Sequence, residues 1–318
     1  MSMHAPEQTM LGRAAAKQLL EDVLHRSRAE QTEAVLIYER NALTRFAGSA
    51  VHQNVAEETP TLMVRAVYGK RVGSASTTRI DAEGSARVVE QADAIARIAP
   101  ENAQFPGLPE SPGEPGEAVY SMDTFACTPQ RRAAMAAVAC RLAREAGLAA
   151  SGSVATVGQE IAVANSRGIF AYTPRSTARM VVVAVGDDGS GYAEDNALEI
   201  AALDEEALAG HAVAVAQRAQ HPVAIEPGEY TVILQPAAVS DITMWLALLG
   251  FSARAVDEGR SFVAGKRGEE VLGENISLWD DGLDLTGLPL PFDFEGVPRQ
   301  RLSLIEHGIA KDIALDSF

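Results

Sequence analysis

The residues best suited to metal or acid–base chemistry are the histidines, and their spacing forms no helical metal site. No two of them lie three or four residues apart, the spacing that places two imidazoles on one face of a helix. His307 precedes a glycine and fits a turn position with positive φ. Taken singly, each histidine is therefore predicted to be a surface or turn residue. The six are His4, His25, His52, His211, His221 and His307.

Two acidic, glycine-containing stretches resemble ion-binding loops only superficially. Residues 186–191 lack the ligand spacing of a calcium loop, and residues 279–282 carry adjacent aspartates of the kind that cap a turn. The sequence also contains no GxSxG nucleophile elbow, no phosphate loop and no GxGxxG after a strand. We therefore interpret both stretches as turns.

One stretch, residues 255–269, has an unusual composition. Three glycines and two charged clusters surround a single phenylalanine, which indicates a loop with close backbone approaches and an aromatic anchor. A tightly packed connection and a binding role both remain open. The candidate residues for a peptide groove or an interface are Glu258, Gly259, Arg260, Ser261, Phe262 and Gly265.

Composition limits the classes of partner. The 318 residues include 27 basic and 43 acidic side chains, a net charge of −16, so the chain repels phosphate backbones and anionic membranes. No apolar run approaches the roughly 18 residues of a membrane span, and no signal peptide is recognisable at the start. We expect no nucleic-acid partner, no membrane association and a cytoplasmic location.

The periodicity predicts an α+β fold with two lobes. Residues 1–105 form a helix, an antiparallel meander and a second helix, with strands at 34–38, 42–46, 51–55, 62–68 and 72–78. Turns are expected at Arg40-Asn41, Gly48-Ser49 and Gly69-Lys70. Residues 106–117 are rich in proline and glycine, which excludes a helix or a central strand and predicts a linker.

Residues 118–318 are predicted to form a mixed or antiparallel β-rich domain with helices. Thr128 and Asp204 are suited to cap helices, and residues 165–168 and 307–308 to connect hairpins. Residues 230–234 are predicted as a buried strand and 241–251 as a core helix. The second strand of the last hairpin, 309–315, lies so near Phe318 that we expect further sequence beyond it.

The chain resembles the PmbA/TldD family, whose members have been described as modulators of DNA gyrase. The resemblance rests on EGRSFVAGKRGE at 258–269 and on PFDFEGVPRQRLSLIEHG at 291–308. Weaker similarities are RFAGSAVHQN at 45–54, FPGLP at 105–109 and the 165–168 turn. Membership implies a two-domain α+β fold, a dimer and a zinc metallopeptidase that processes peptides or unfolded proteins.

The resemblance also implies that this chain lacks the catalytic motif. In the catalytic type, His-Glu-x-x-x-His follows a buried strand; the histidines bind zinc and the glutamate activates water. By register, Pro236 and Asp241 replace the histidines and Ala237 replaces the glutamate. Proline and alanine supply neither a ligand nor a base, so no catalytic residue, metal or other cofactor is expected here.

The resulting hypothesis is a PmbA/TldE-like subunit that pairs with a TldD-like catalytic subunit, or with itself, and helps to enclose a peptide or unfolded-protein substrate. Zinc would then be held by the catalytic partner. Two alternatives remain open from the sequence. One is a stand-alone peptidase with an unrecognised active site; the other is a non-proteolytic binding protein that modulates a partner such as DNA gyrase.

Overall fold

The computed structural model describes residues 10–110 and 119–315, and it confirms the α+β class. Part of the predicted linker, residues 111–117, lies outside the described residues, as do His4 and Phe318. By contacts the chain divides into a first unit, residues 1–224 with 285–298, and a second unit, residues 225–284 with 299–318. No helix in the described part is long and apolar enough to cross a membrane.

The first unit is built on one six-stranded antiparallel sheet with the strand order β3-β2-β1-β4-β5-β6. Its strands are β1 Gln31–Ala47, β2 Ala50–Tyr68, β3 Arg71–Thr77, β4 Ala149–Asn165, β5 Phe170–Val185 and β6 Ser190–Ala197. Its helices are α1 Arg13–Arg26, α2 Ala82–Ile98, α3 Met122–Phe125, α4 Pro129–Glu145 and α5 Glu205–Arg218.

Strands that precede the predicted linker in the sequence and strands that follow it belong to the same sheet. Strand β1 pairs along its length with β4, so strands from both predicted lobes share one sheet. The division of the structure by contacts therefore differs from the expected division into 1–105 and 118–318. Pairing between segments so far apart in the chain depends on long-range register, which local sequence signals do not report.

Helices cover one face of this sheet in two groups. Leu36 packs with α1 and α2, and Phe46 packs with α4 and α5; both residues lie on the same face of β1, since strand side chains alternate. The helix–sheet approach is close. A Cβ on Gly73 in β3 would stand 2.2 Å from the backbone nitrogen of Ala96 in α2.

Residues 285–298 pack on the opposite face of the sheet. Phe292 is fully buried there with Val35, Ile161, Val163 and other apolar residues. The turn that follows is closed by its own aspartate, because the carboxylate of Asp293 accepts from two backbone amides further along the turn. The segment quoted above for the family resemblance thus contributes a structural clamp to the first unit.

An ion-pair group holds the same clamp. Arg65 Nη2 lies 2.8 Å from Glu33 Oε2 and 2.7 Å from Glu295 Oε1, and the Glu33 side chain is almost fully buried. Burial, the largest effect, raises the pKa of Glu33 although Arg65 acts to lower it. The clamp therefore depends on a carboxylate that is costly to ionise.

The second unit contains two helices and a small three-stranded sheet. These are α6 Pro236–Gly250, α7 Ala253–Asp257, β7 Leu278–Asp280, β8 Leu302–Glu306 and β9 Ile309–Ala310, with the sheet order β7-β8-β9. Phe251, Val263, Leu304, Ile305 and Ala310 form its core. The predicted turn at His307-Gly308 is confirmed, with φ values of 48° and 77°. The strand after it is shorter than predicted, because only two residues pair.

Several sequence predictions need correction. Residues 230–234 form no strand; they lie exposed, and no described strand pairs with them. The helix predicted at 241–251 exists as part of α6, but it is not a core helix, since its apolar side chains are largely exposed. No break occurs at Arg40-Asn41, because both residues continue the pairing of β1 with β2 and β4.

Candidate functional site

The three positions that the family resemblance predicts to correspond to a zinc motif lie at the start of α6. Pro236 is the first residue of this helix, Ala237 is the second, and Asp241 lies just over one turn further along. All three are exposed. Proline at the first helical position is favoured because its missing N–H would have had no partner within the helix. The local sequence therefore favours the start of a helix at Pro236.

The donor set at this point does not fit zinc. Pro236 and Ala237 carry no donor atom, and a single exposed aspartate is a weak site for the metal. Across residues 10–110 and 119–315, no group of three or more His, Cys, Asp or Glu side chains is close enough to hold a metal ion.

The second candidate segment, residues 258–265, packs against the other end of α6. The Ser261 hydroxyl donates to the carbonyl oxygen of Gly250 and accepts from the amide of Val263. Phe262 meets Phe251 edge to face, with ring centroids 5.5 Å apart. Ser261 is buried and Phe262 half-buried, so both act as the anchors of this loop.

Glycine at position 250 permits this contact. A Cβ there would stand 2.6 Å from a ring carbon of Phe262, so a larger residue would displace the ring. Gly259 and Gly265 have φ values of 68° and 71°, which glycine adopts at little cost. Gly250 thus allows the helix to approach the loop closely, and Gly259 and Gly265, which belong to residues 255–269, turn the backbone of the loop.

Glu258 and Arg260 form the exposed, charged part of the loop. The Arg254 and Arg260 guanidinium groups both donate to the Glu258 carboxylate, at 2.9 and 2.7 Å. These hydrogen bonds, first that of Arg254, lower the pKa of Glu258. The pairs are solvent-exposed and contribute little to stability, but they orient Arg260 and offset its charge.

Together α6 and the loop form an apolar groove of about 410 Å³, which we call the α6 groove. One face of the helix lines it, together with Arg260 and the ring of Phe262, which lies beside Gly250. The lining residues are Ile242, Trp245, Leu246, Leu249, Gly250, Arg260 and Phe262. A volume in this range suits a small ligand or a few side chains of a polypeptide.

A second cavity of about 520 Å³ borders the opposite side of α6. Thr243, Met244 and Ala247 line it from the helix, and Trp279 and Arg299 line it from the rest of the second unit. The indole of Trp279 is covered by the guanidinium of Arg301, 4.9 Å from the ring centroid. One row of α6 side chains thus lines the α6 groove, and a different row lines the second cavity.

The structure brings some predicted site residues together and separates others. Phe262 and Arg260 share the α6 groove, whereas Glu258, Gly259 and Gly265 do not line it. At 1.5 Å per residue, Pro236 lies about 21 Å along the helix from Gly250, so the start of α6 and the loop are not one site. Trp245 and Leu249 were not predicted from the sequence as groove residues, because a helix that is apolar on all sides is usually buried.

Comparison with models of known protein families shows which family the chain belongs to. Models of the PmbA/TldA metallopeptidase match the chain three times: domain 1 at residues 32–96, the central domain at 129–221 and the C-terminal domain at 227–318. The chain belongs to the PmbA/TldD family. The α6 groove lies within the C-terminal family domain, and the six-stranded sheet combines the first two.

One relative and two solved structures are similar to this chain. An uncharacterised protein of Methanocaldococcus jannaschii is 33% identical over 115 residues, which is 36% of this chain and 27% of that protein. TldE from Thermococcus kodakarensis superposes with a TM-score of 0.80 at 21% identity, covering 94% of this chain and 69% of its own. A proposed modulator of a DNA gyrase from Thermotoga maritima gives 0.82 at 18%, covering 93% and 70%. At these identities the two structures establish the shared fold.

Proposed function

We propose that this chain is a non-catalytic, PmbA/TldE-like subunit that pairs with a TldD-like zinc metallopeptidase in the cytoplasm and helps to enclose peptides or unfolded proteins. The observation that carries the proposal is the residue set at the start of α6. Where the catalytic type has His, Glu and His, this chain has Pro236, Ala237 and Asp241. Neither zinc binding nor activation of water is possible with those side chains.

Two further observations support a role in holding polypeptide. The C-terminal family domain contains the α6 groove, which is lined mostly by apolar side chains. In addition, several large apolar residues of α6 are about half exposed, including Trp245 and Leu249. Exposed apolar surface of this kind marks sites of interaction with other proteins or ligands.

Co-purification tests the pairing. The chain would be co-expressed with a relative that has the intact His-Glu-x-x-x-His motif, and a tag on either protein would be used for capture. We expect a stable complex that binds zinc in the catalytic subunit and cleaves unfolded peptide. A matched complex in which the partner's motif glutamate is replaced by glutamine should assemble equally well but cleave nothing. Failure to co-purify, with the chain monomeric in the mixture, would contradict the proposal.

A further inference from the structure

Exposed apolar side chains concentrate in the last part of the chain. Most of the large apolar residues that are exposed lie between residues 223 and 315, and few lie in the longer part before them. Helix α6 is the clearest case, because Asp241 is its one charged residue. A helix that is apolar on all sides is normally buried, so α6 has the sequence of a helix with a permanent cover. Its side chains that are more than half exposed are Met244, Trp245, Leu248 and Leu249.

Residues 230–234 lack a cover in the same way. Tyr230, Val232 and Ile233 are 57%, 68% and 97% exposed, although aromatic and β-branched residues in such a run are typical of a strand. No strand among the described residues pairs with this segment. Helix α6 and residues 230–234 therefore lack the same thing, a further stretch of polypeptide with apolar side chains and a backbone that can pair as a strand.

The described residues end beside this surface. The amide of Ala314 donates to the carbonyl oxygen of Phe251 at 2.8 Å, and the amide of Ala253 donates to the carbonyl oxygen of Ala314 at 3.0 Å. Residues 251–253 directly follow α6, so the polypeptide after residue 315 starts at the C-terminal end of this helix. A segment that begins there is tethered next to α6, and its effective concentration at the helix is high.

The similar solved structures have enough additional chain to provide the cover. The matches to TldE and to the Thermotoga maritima protein include 94% and 93% of this chain but 69% and 70% of those chains. About three-tenths of each of them thus has no counterpart here. That length is several times the 15 residues of α6, so it is sufficient to cover the helix and to add a strand.

We infer that the polypeptide following residue 318 folds back over α6, fills the α6 groove and adds a strand beside residues 230–234. The occupant of the groove is a segment of the same chain, and its residues that contact Trp245 and Leu249 are apolar. This inference goes beyond the proposed function and does not rest on it, because that function is carried by the three residues at the start of α6.

Tryptophan fluorescence compares the chain with and without its continuation. Trp245 and Trp279 are the two tryptophans of the sequence, so emission in Trp279→Phe reports Trp245 on α6. Residues 1–318 would be compared with the longer chain, expressed to the stop codon of its reading frame. We expect blue-shifted emission from the longer chain at every protein concentration. Acrylamide quenching should be at least about twofold weaker there, since the cover removes most of the exposed surface of Trp245.

Two exposed residues provide a matched pair of variants that requires only the longer chain. Leu248 on α6 is 66% exposed, and Ile98 at the end of α2 is 85% exposed. In the longer chain, Leu248→Gln should accelerate amide exchange in α6 and in residues 231–234 about tenfold or more, the change in an opening equilibrium that loss of one buried leucine produces. Ile98→Gln should leave this exchange unchanged. In residues 1–318 neither variant should alter it.

Four results would overturn the inference. These are a reading frame that stops at residue 318, equal quenching of Trp245 in both chains, equal effects of the two variants in the longer chain, and a blue shift that requires high protein concentration, an added peptide or a TldD-like subunit. The last would mean that a second copy or another polypeptide covers α6. Failure to co-purify with a catalytic relative would contradict the proposed function and leave this inference standing.

Discussion

The clamp formed by residues 285–298 allows a sharp test with two neighbouring phenylalanines. Phe292 is fully buried against the large sheet, whereas Phe294, two residues later, is 51% exposed. Replacing a fully buried phenylalanine with alanine removes its transfer free energy and leaves a cavity, at a cost of about 3–5 kcal/mol. The exposed residue loses far less burial, so Phe294→Ala should cost below about 1 kcal/mol.

Amide hydrogen exchange is the suitable assay, because a chain of two compact units need not unfold in one step. We expect Phe292→Ala to accelerate exchange in residues 285–298 and in the strands beneath them, with exchange in β8 unchanged. Phe294→Ala should resemble the parent chain throughout. Equal effects of the two variants, or a loss of protection confined to the second unit, would refute the assignment of this clamp to the first unit.

Three further predictions follow from single contacts and from the linker. Because the folded-state pKa of Glu33 is raised, the contribution of Glu33 to stability is greatest at low pH and is lost as the pH rises through that pKa. The melting temperature of Glu33→Gln should therefore rise relative to that of the parent chain between pH 4 and pH 8. A difference in melting temperature that does not depend on pH would be evidence against this. Gly73→Ala places a Cβ against the backbone of Ala96 and should lower the free energy of unfolding by about 1–3 kcal/mol. Gly210→Ala has open space in a helix and should raise the free energy of unfolding by up to about 1 kcal/mol. Denaturant titration measures both values, and the reverse order would show that the helix–sheet spacing is wrong. A glutamate-specific protease should cut first within residues 106–117, the linker predicted from sequence, and a first cut inside the large sheet would contradict that boundary.

Features set by a few neighbouring residues were predictable from the sequence. The Thr128 hydroxyl accepts from the amide of Arg131 at the start of α4, and the Asp204 carboxylate accepts from the amide of Ala207 at the start of α5. The turn at Gly69-Lys70 joins β2 to β3 as predicted. Capping and turn geometry depend on side chains within a few positions, so local sequence is sufficient to specify them.

Features set by distant residues were not predictable in the same way. The pairing of β1 with β4 joins segments more than a hundred positions apart, and the packing of Phe292 on the sheet joins segments further apart still. Residues 230–234 have strand-forming side chains, but without a neighbouring strand among the described residues they form none. Strand identity requires a partner, and the sequence of one segment does not supply it.

The candidate site shows the same division. The glycines and the phenylalanine of residues 258–265 indicated a packed loop, and that loop does pack through Phe262. No local pattern indicated that this loop would contact the far end of α6, where a glycine at 250 makes room for the ring. Nor did the sequence predict that Trp245 would be exposed beside that ring, because an apolar helix is ordinarily buried.

The most direct test of the central claim is the zinc content and peptidase activity of the purified chain on its own. Elemental analysis after dialysis would be combined with cleavage of an unfolded peptide, with and without a chelator. With Pro236, Ala237 and Asp241 in place of His, Glu and His, we predict far less than one zinc per chain and no cleavage above background. About one zinc per chain, together with cleavage that the chelator abolishes, would contradict the account.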